Sequence, residues 1–177
     1  MEIIAPMWSS SIHTPGKILL TFSASKSSEE ITINLYEHCL IETSSKKKMT
    51  MPFDFDLKYG FTSSPPSIYF EKQEERVKYE LKSESDLQSC REILKGKLNQ
   101  RGFHEQFKPK KKIGKGNFAS VYLAEKLEVG KNFAIKAFSK EAAYSEDKGK
   151  ECLIKEIDIM RALNHKCCMK LHEVFES

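Results

Sequence analysis

The chain has 177 residues, 29 Lys and Arg against 25 Asp and Glu, and a formal net charge of +4, with 40% hydrophobic and 31% charged residues. These are globular values, and the length suits one large or two small cores. They speak against a disordered or fibrous chain; no apolar run approaches a membrane span or a secretory signal, and five scattered cysteines without a Cys-x-x-Cys pair read as reduced cytosolic thiols.

The first hundred residues consist of short alternating or apolar segments: Lys17 to Phe22, Ile31 to Glu42, Ile68 to Lys72 and Arg76 to Leu81. Polar turns separate them at Ser25 to Ser28, Ser44 to Lys48 and Ser63 to Pro66. That rhythm predicts a run of antiparallel strands. One helical segment closes the run, with Ser85 or Asp86 as its cap, apolar positions at Leu87, Ile93, Leu94 and Leu98, and Gly102 as the break. A small curved sheet, a β-sandwich or barrel closed by a C-terminal helix, resembles a pleckstrin-homology domain over residues 12–101. Another small β-rich domain is the alternative. The tryptophan usual in that family's helix is missing, and Cys90 stands in its place.

Lipid-binding members of that family place basic side chains across the first hairpin. Lys17 and Lys26 are available here, but Ile31 to His38 offers no basic pair. The cluster Lys46, Lys47 and Lys48 is a candidate contact for an acidic phosphoinositide headgroup. A solvated loop, or a bend that contacts protein, is the preferred reading of that cluster.

Residues 102–110 read as a linker, and the basic run Lys108-Pro-Lys-Lys-Lys112 that starts in it reads as a solvated interdomain joint, with a nuclear signal or a membrane-facing patch as alternatives; aromatics do not interleave with basic residues as they do in nucleic-acid-binding patterns. The segment Ile113-Gly-Lys-Gly-Asn-Phe-Ala-Ser-Val121 follows, and β-prone Tyr122, Leu123 and Ala124 come next. Gly114 and Gly116 allow close backbone approach and backbone angles closed to other residues. The loop therefore joins two strands and does not open a helix, which excludes a dinucleotide-binding fingerprint; the absence of a Gly-Lys-Ser/Thr ending excludes a Walker loop. In Phe133 to Phe138, Lys136 is the only charge, with Ala134 and Phe138 on its face of the strand. Residues 148–163 carry helical spacing, with Leu153, Ile157 and Met160 on one stripe and Ile154 beside it. Glu156 lies on a second stripe with Cys152, Ile159 and Leu163, and reads as the mate of Lys136.

Together, Ile113-Gly-x-Gly-x-Phe-Ala-x-Val121, Ala134-Ile-Lys136, Glu156-Ile and Leu163-Asn-His165 resemble the start of a protein kinase small lobe over residues 107–177. The resemblance implies an antiparallel sheet plus one helix, an incomplete lobe, and hence an α+β chain overall. It implies ATP as ligand, with magnesium in a complete domain. Backbone amides of Gly114, Lys115, Gly116, Asn117, Phe118, Ala119 and Ser120 would fold over the phosphates, Ile113, Val121 and Ala134 would pack on adenine, Lys136 would hold the α- and β-phosphates, and Glu156 would orient Lys136. Two departures stand out: Ala119 replaces the third glycine of the loop, and Cys167-Cys168 replaces a proline-containing turn. Residues 156–165 look like the calcium/calmodulin-dependent group of serine/threonine kinases. His165-x-Cys-Cys-x-x-x-His172 fits no standard zinc spacing, so no metal is expected.

Transfer of the γ-phosphate to a protein hydroxyl also needs a His-Arg-Asp loop and an Asp-Phe-Gly metal ligand, and neither is among these residues. The 177-residue chain is therefore expected to be inactive alone, and residues 168–176 to lack a sheet partner. The expectation is a cytoplasmic serine/threonine kinase portion, with a peripheral membrane position left open. The alternatives are a pleckstrin-homology-like lipid- or protein-binding module, or a non-catalytic scaffold with a vestigial kinase segment.

Overall fold

The computed structural model describes residues 6–9, 16–116, 119–145 and 148–177. It divides into two compact units: Met1–Arg101 with His172–Glu176, and Gly102–Leu171 with Ser177. No helix among the described residues is long and apolar enough to cross a membrane.

The first unit is built on strands β1 (Leu20–Lys26), β2 (Glu29–Leu35), β3 (Cys39–Thr43), β4 (Lys48–Pro52), β5 (Lys58–Ser63), β6 (Pro66–Lys72) and β7 (Glu75–Leu81). Helix α1 (Glu84–Leu94) and the two-residue strand β8 (Asn99–Gln100) follow. The sheet order is β4-β3-β2-β1-β7-β6-β5-β8. All neighbours are antiparallel except β8, which runs parallel to β5. Alternation along β2 and β7 sends Ile31, Ile33, Leu35, Val77, Tyr79 and Leu81 inward. The β1–β2 turn is made by Ser27 and Ser28, both at positive φ (49° and 68°), the backbone hand that matches strand twist in a tight hairpin.

One apolar cluster takes residues from both ends of the sheet and from the helix, including Leu35, Met51, Tyr59, Phe70 and Leu94, so the sheet curls around a single core that α1 closes. Leu87, Cys90 and Leu94 form the buried face of α1, and Leu98 follows them inward; burial pushes the Cys90 thiol up to about 12. The cap of α1 is Ser83, not Ser85 or Asp86: its hydroxyl accepts from the Asp86 amide at 3.1 Å. Gly102 does break the chain, at φ 81°.

Three further strands, β3, β4 and β5, emerge besides the expected ones and the short β8. The segment Ile31 to Glu42 is divided into β2 and β3 by a turn in which the Tyr36 amide donates to the Cys39 carbonyl. β5 was hidden by Gly60. Any Cβ at Gly60 would lie 2.2 Å from the ring of Tyr69, its partner in β6, so the glycine makes room for that ring, which Arg76 covers from 3.8 Å.

The second unit comprises the short helix α2 (Phe103–Gln106), strands β9 (Phe107–Lys115), β10 (Ala119–Lys126) and β11 (Lys131–Phe138), and helices α3 (Lys140–Tyr144) and α4 (Gly149–Ala162). Its sheet is antiparallel in the order β11-β10-β9. The stretch 102–110 is thus no irregular joint: α2 fills its first half, and the basic run lies on the exposed edge strand β9, where Pro109 is tolerated. Besides the expected helix, α3 forms, capped by the Ser139 hydroxyl, which accepts from the Ala142 amide at 3.3 Å. The core here is thin: among the described residues of this unit, Phe107, Ala124 and Ala143 are the buried apolar ones, with Phe107 stacked on Phe103 and edge-on to Phe133.

Candidate functional site

β9 and β10 form a hairpin whose tip lies between Gly116 and Ala119, closed by the Gly116 amide donating to the Ala119 carbonyl at 2.8 Å. Asn117 and Phe118 lie outside the described residues. Neither Gly114 nor Gly116 takes a positive φ, and a Cβ would meet its nearest described atom at 3.5 Å and 3.7 Å respectively, which is ordinary contact. The expectation that these glycines serve unusual backbone angles does not hold. What they leave bare is backbone on a hairpin, without the methyl that any other residue would add.

The register assembles the rest. Val121 pairs with Gly114 on one side and with Lys136 on the other, so Gly114, Val121 and Lys136 form a row across three strands. Ala134 stands opposite Leu123, on the same face as Lys136 and Val121. Ser120 pairs with Lys115 and Ala137, and faces the other way. Ile113 occupies a bulge, since Gly114 faces Val121 while Lys112 faces Tyr122, and it is 49% exposed. Bulges re-aim side chains beside functional sites. A second bulge frees Lys110 to pair with Glu125 at 2.7 Å, and that hydrogen-bonded ammonium holds the Glu125 carboxyl below its ordinary range.

Lys136 forms an ion pair with Glu156 of α4. Its ammonium also lies 4.8 Å from the centre of the Phe138 ring on the same strand face. The side chains of Lys136 and Glu156 are 48% and 42% exposed, so the lysine is paired and also reaches solvent, as an edge lysine would. Leu153, Ile154, Ile157 and Met160 are half-buried, whereas Cys152, Ile159 and Leu163 beside Glu156 are exposed. A half-exposed ammonium, fixed at one point by a carboxylate and open elsewhere, retains donors for a second anion.

Residues 107–177 match the family model described as the protein kinase domain. They are a protein kinase-like region. Calcium-dependent protein kinase 4 of Plasmodium falciparum (isolate 3D7) is 39% identical over 74 residues, which is 42% of this chain and 14% of that protein. A probable serine/threonine-protein kinase, fhkC, of Dictyostelium discoideum is 32% identical over 90 residues, 51% of this chain and 15% of that protein. The chain therefore spans about one-seventh of the length of these curated relatives. Among solved structures, Rad53 1-466 in complex with AMP-PNP aligns over 84% of this chain and 42% of that one, at 16% identity and a TM-score of 0.34, too low to bear on the fold. In the kinase-like region, the matched segment includes the hairpin, Lys136 and Glu156.

The lipid-contact candidates belong to the first unit. Lys46 and Lys47 sit on the β3–β4 hairpin, where the Ser44 amide donates to the Lys47 carbonyl, and Lys48 opens β4; all three are exposed. Lys26 is not available to a headgroup. Its ammonium bonds Glu42 at 2.6 Å and lies 4.8 Å from the Trp8 ring. Glu42 is buried in β3 and also accepts from the Tyr79 hydroxyl at 2.7 Å. Nothing local in the sequence announces this triad, whose members come from β1, β3 and β7.

Of residues 168–176, Phe175 does have a sheet partner, contrary to expectation. Phe175 bridges Gln100 in parallel, and both belong to the first unit.

Proposed function

We propose that residues 107–177 supply the nucleotide-gripping portion of a serine/threonine protein kinase, with ATP held under the β9–β10 hairpin. The observation that carries this reading is the Lys136–Glu156 ion pair, set in the strand row that contains Gly114 and Val121. In this reading the amides of residues 114–120 cover the phosphates, Lys136 contacts the α- and β-phosphates, Glu156 aims it, and Ile113, Val121 and Ala134 form the adenine wall. Magnesium would sit among the phosphates in a complete domain and neutralise their charge; these 177 residues contribute no His-Arg-Asp or Asp-Phe-Gly ligand to it. These 177 residues grip the nucleotide but supply no group for the transfer step, so no turnover is expected from this chain alone.

We further propose that the first unit is a pleckstrin-homology-like domain used for targeting. Seven antiparallel strands followed by a core-closing helix support that reading. The engagement of Lys26 with Glu42 favours a protein ligand over a phosphoinositide.

Titration of the purified chain with a fluorescent ATP analogue and magnesium tests the first proposal. Saturable binding at roughly millimolar strength is expected, about −4 kcal/mol, without phosphate transfer to a generic protein substrate. Absence of saturable binding refutes the nucleotide site. Transfer that Lys136→Met abolishes refutes the claim of inactivity.

A further inference from the structure

The first unit carries a second recognition surface, unrelated to nucleotide. Its sheet ends at β8, and beyond β8 Phe175 makes an isolated parallel bridge to Gln100. The Gln100 amide donates to the Val174 carbonyl at 2.7 Å, and the Glu176 amide donates to the Gln100 carbonyl at 2.9 Å. The Glu176 carboxylate is held at both oxygens: Oε1 by Lys58 Nζ at 2.9 Å and Oε2 by Asn99 Nδ2 at 3.2 Å. Arg101 Nη1 donates to the Glu176 carbonyl at 3.0 Å.

Each receiving group is also held from behind. Asn99, 2% exposed, donates to the Phe55 carbonyl at 3.2 Å. The Gln100 side-chain oxygen accepts from the Tyr59 hydroxyl at 2.8 Å. Arg101 pairs through Nη2 with Glu71 at 2.6 Å, and its amide donates to the Tyr59 carbonyl at 2.8 Å. These bonds belong to the body of the unit and do not depend on the added strand. A receptor built this way loses little freedom when a ligand arrives. Main-chain bonds to a sheet edge, with a side-chain clamp for one residue, are the physical form of strand-addition recognition. The buried Gln100 Nε2 has no hydrogen-bond partner, so the present occupant leaves one donor of the edge unused.

We propose that Asn99–Arg101 with Lys58 is a peptide-recognition edge that takes an extended strand bearing a carboxylate, and that residues 174–176 are its resident occupant. The occupant lies within the kinase-like match by sequence and within the first unit by structure. A strand supplied in trans competes with it, and the resident strand lowers the apparent affinity of that competitor by its own occupancy.

The test uses the full chain and a labelled peptide with the sequence of residues 170–177. Glu176→Pro in the chain removes one main-chain donor and the clamped carboxylate, which empties the edge. Fluorescence anisotropy is expected to show the peptide binding the Glu176→Pro chain roughly tenfold or more tightly than the intact chain. A peptide with Gln in place of its Glu176 equivalent binds more weakly, as does the Glu176→Pro chain that also carries Lys58→Met. Equal binding to intact and Glu176→Pro chains, no binding to a Glu176→Pro chain that still melts cooperatively, or indifference to the Gln replacement overturns the proposal. Should Glu176→Pro fail to fold, amide exchange on the intact chain decides: protection at both Gln100 and Glu176 supports the docked strand, and open-chain exchange at Glu176 refutes it.

Discussion

Replacing Lys136 with methionine separates a binding role from a structural one. Its ion pair with Glu156 joins two side chains that are 48% and 42% exposed. Exposed pairs contribute roughly 0–1 kcal/mol to stability, because solvent screens them and ordering two long side chains costs entropy. Methionine keeps most of the aliphatic stem, so packing changes little. Exchange protection of the β10–β11 amides, which reports on the second unit alone, is therefore expected to fall by less than about 1 kcal/mol. The effect on a bound triphosphate is larger. A charge-assisted hydrogen bond contributes about 1.5–3 kcal/mol, so affinity for a fluorescent ATP analogue should drop about 10- to 150-fold. Glu156→Gln, acting through the lysine, should cost less. The double variant should be no weaker than Lys136→Met alone, the signature of a residue that works through its partner. The reasoning fails if Lys136→Met leaves affinity unchanged, if it melts β10–β11, or if the two losses add in full.

Four further predictions probe the glycines, the first unit and the cysteines. Gly114→Ala and Gly116→Ala should fold normally, because neither site has positive φ and the nearest described atoms lie at 3.5 and 3.7 Å; nucleotide affinity should fall, since the added methyl stands where a phosphate would approach, and an unchanged affinity counts against the hairpin as a phosphate cover. Tyr79→Phe should cost about 1.5–3 kcal/mol and Glu42→Ala about 3–5, the latter because a buried hydroxyl and a half-buried ammonium both lose their acceptor; urea unfolding followed by Trp8, the sole tryptophan, measures both. The Cys90 thiol is raised from 9.0 to about 12 by burial and then by Asp86, and Tyr79 is raised by burial and then by Glu42. Above pH 9 the unfolded chain loses protons that the folded chain keeps, so stability should decline as pH rises from 9 towards 12. At neutral pH, Cys152, Cys167 and Cys168 should react promptly with a thiol reagent, and Cys39 and Cys90 only on unfolding.

The parts of this fold that were legible in the sequence are those whose signal is periodic and long. The inward stripes of β2 and β7 and the apolar face of α1 repeat their period several times, and each recurs in the structure. The segments that escaped notice carry too little repeat to register. β4 is Lys-Met-Thr-Met-Pro, β5 is interrupted by Gly60, and β8 is two residues long. Gly60 is instructive, since in isolation it reads as a breaker, yet its role is set by the Tyr69 ring that faces it across the strand pair. No property of the local sequence contains that information.

The same division governs function. Lys136 and Glu156 were legible as partners because a lone charge in an apolar strand and a lone carboxylate on a mostly apolar helix stripe each need an explanation, and one bond explains both. Their exposure was not legible, because it depends on how thin the core around Phe107 and Ala124 is. The Lys26–Glu42–Tyr79 triad and the Lys58–Asn99–Glu176 clamp had no such signature. Each joins residues from separate elements, and each member taken singly is an ordinary residue with a polar group. What distinguishes the clamp from a surface ion pair is that both carboxylate oxygens are engaged, one by the Lys58 ammonium and one by an Asn99 amide that is shielded from water while the strand is in place. An edge that depends on an incoming carboxylate in this way discriminates against strands that lack one, and for that reason the clamp points to recognition and not to packing alone.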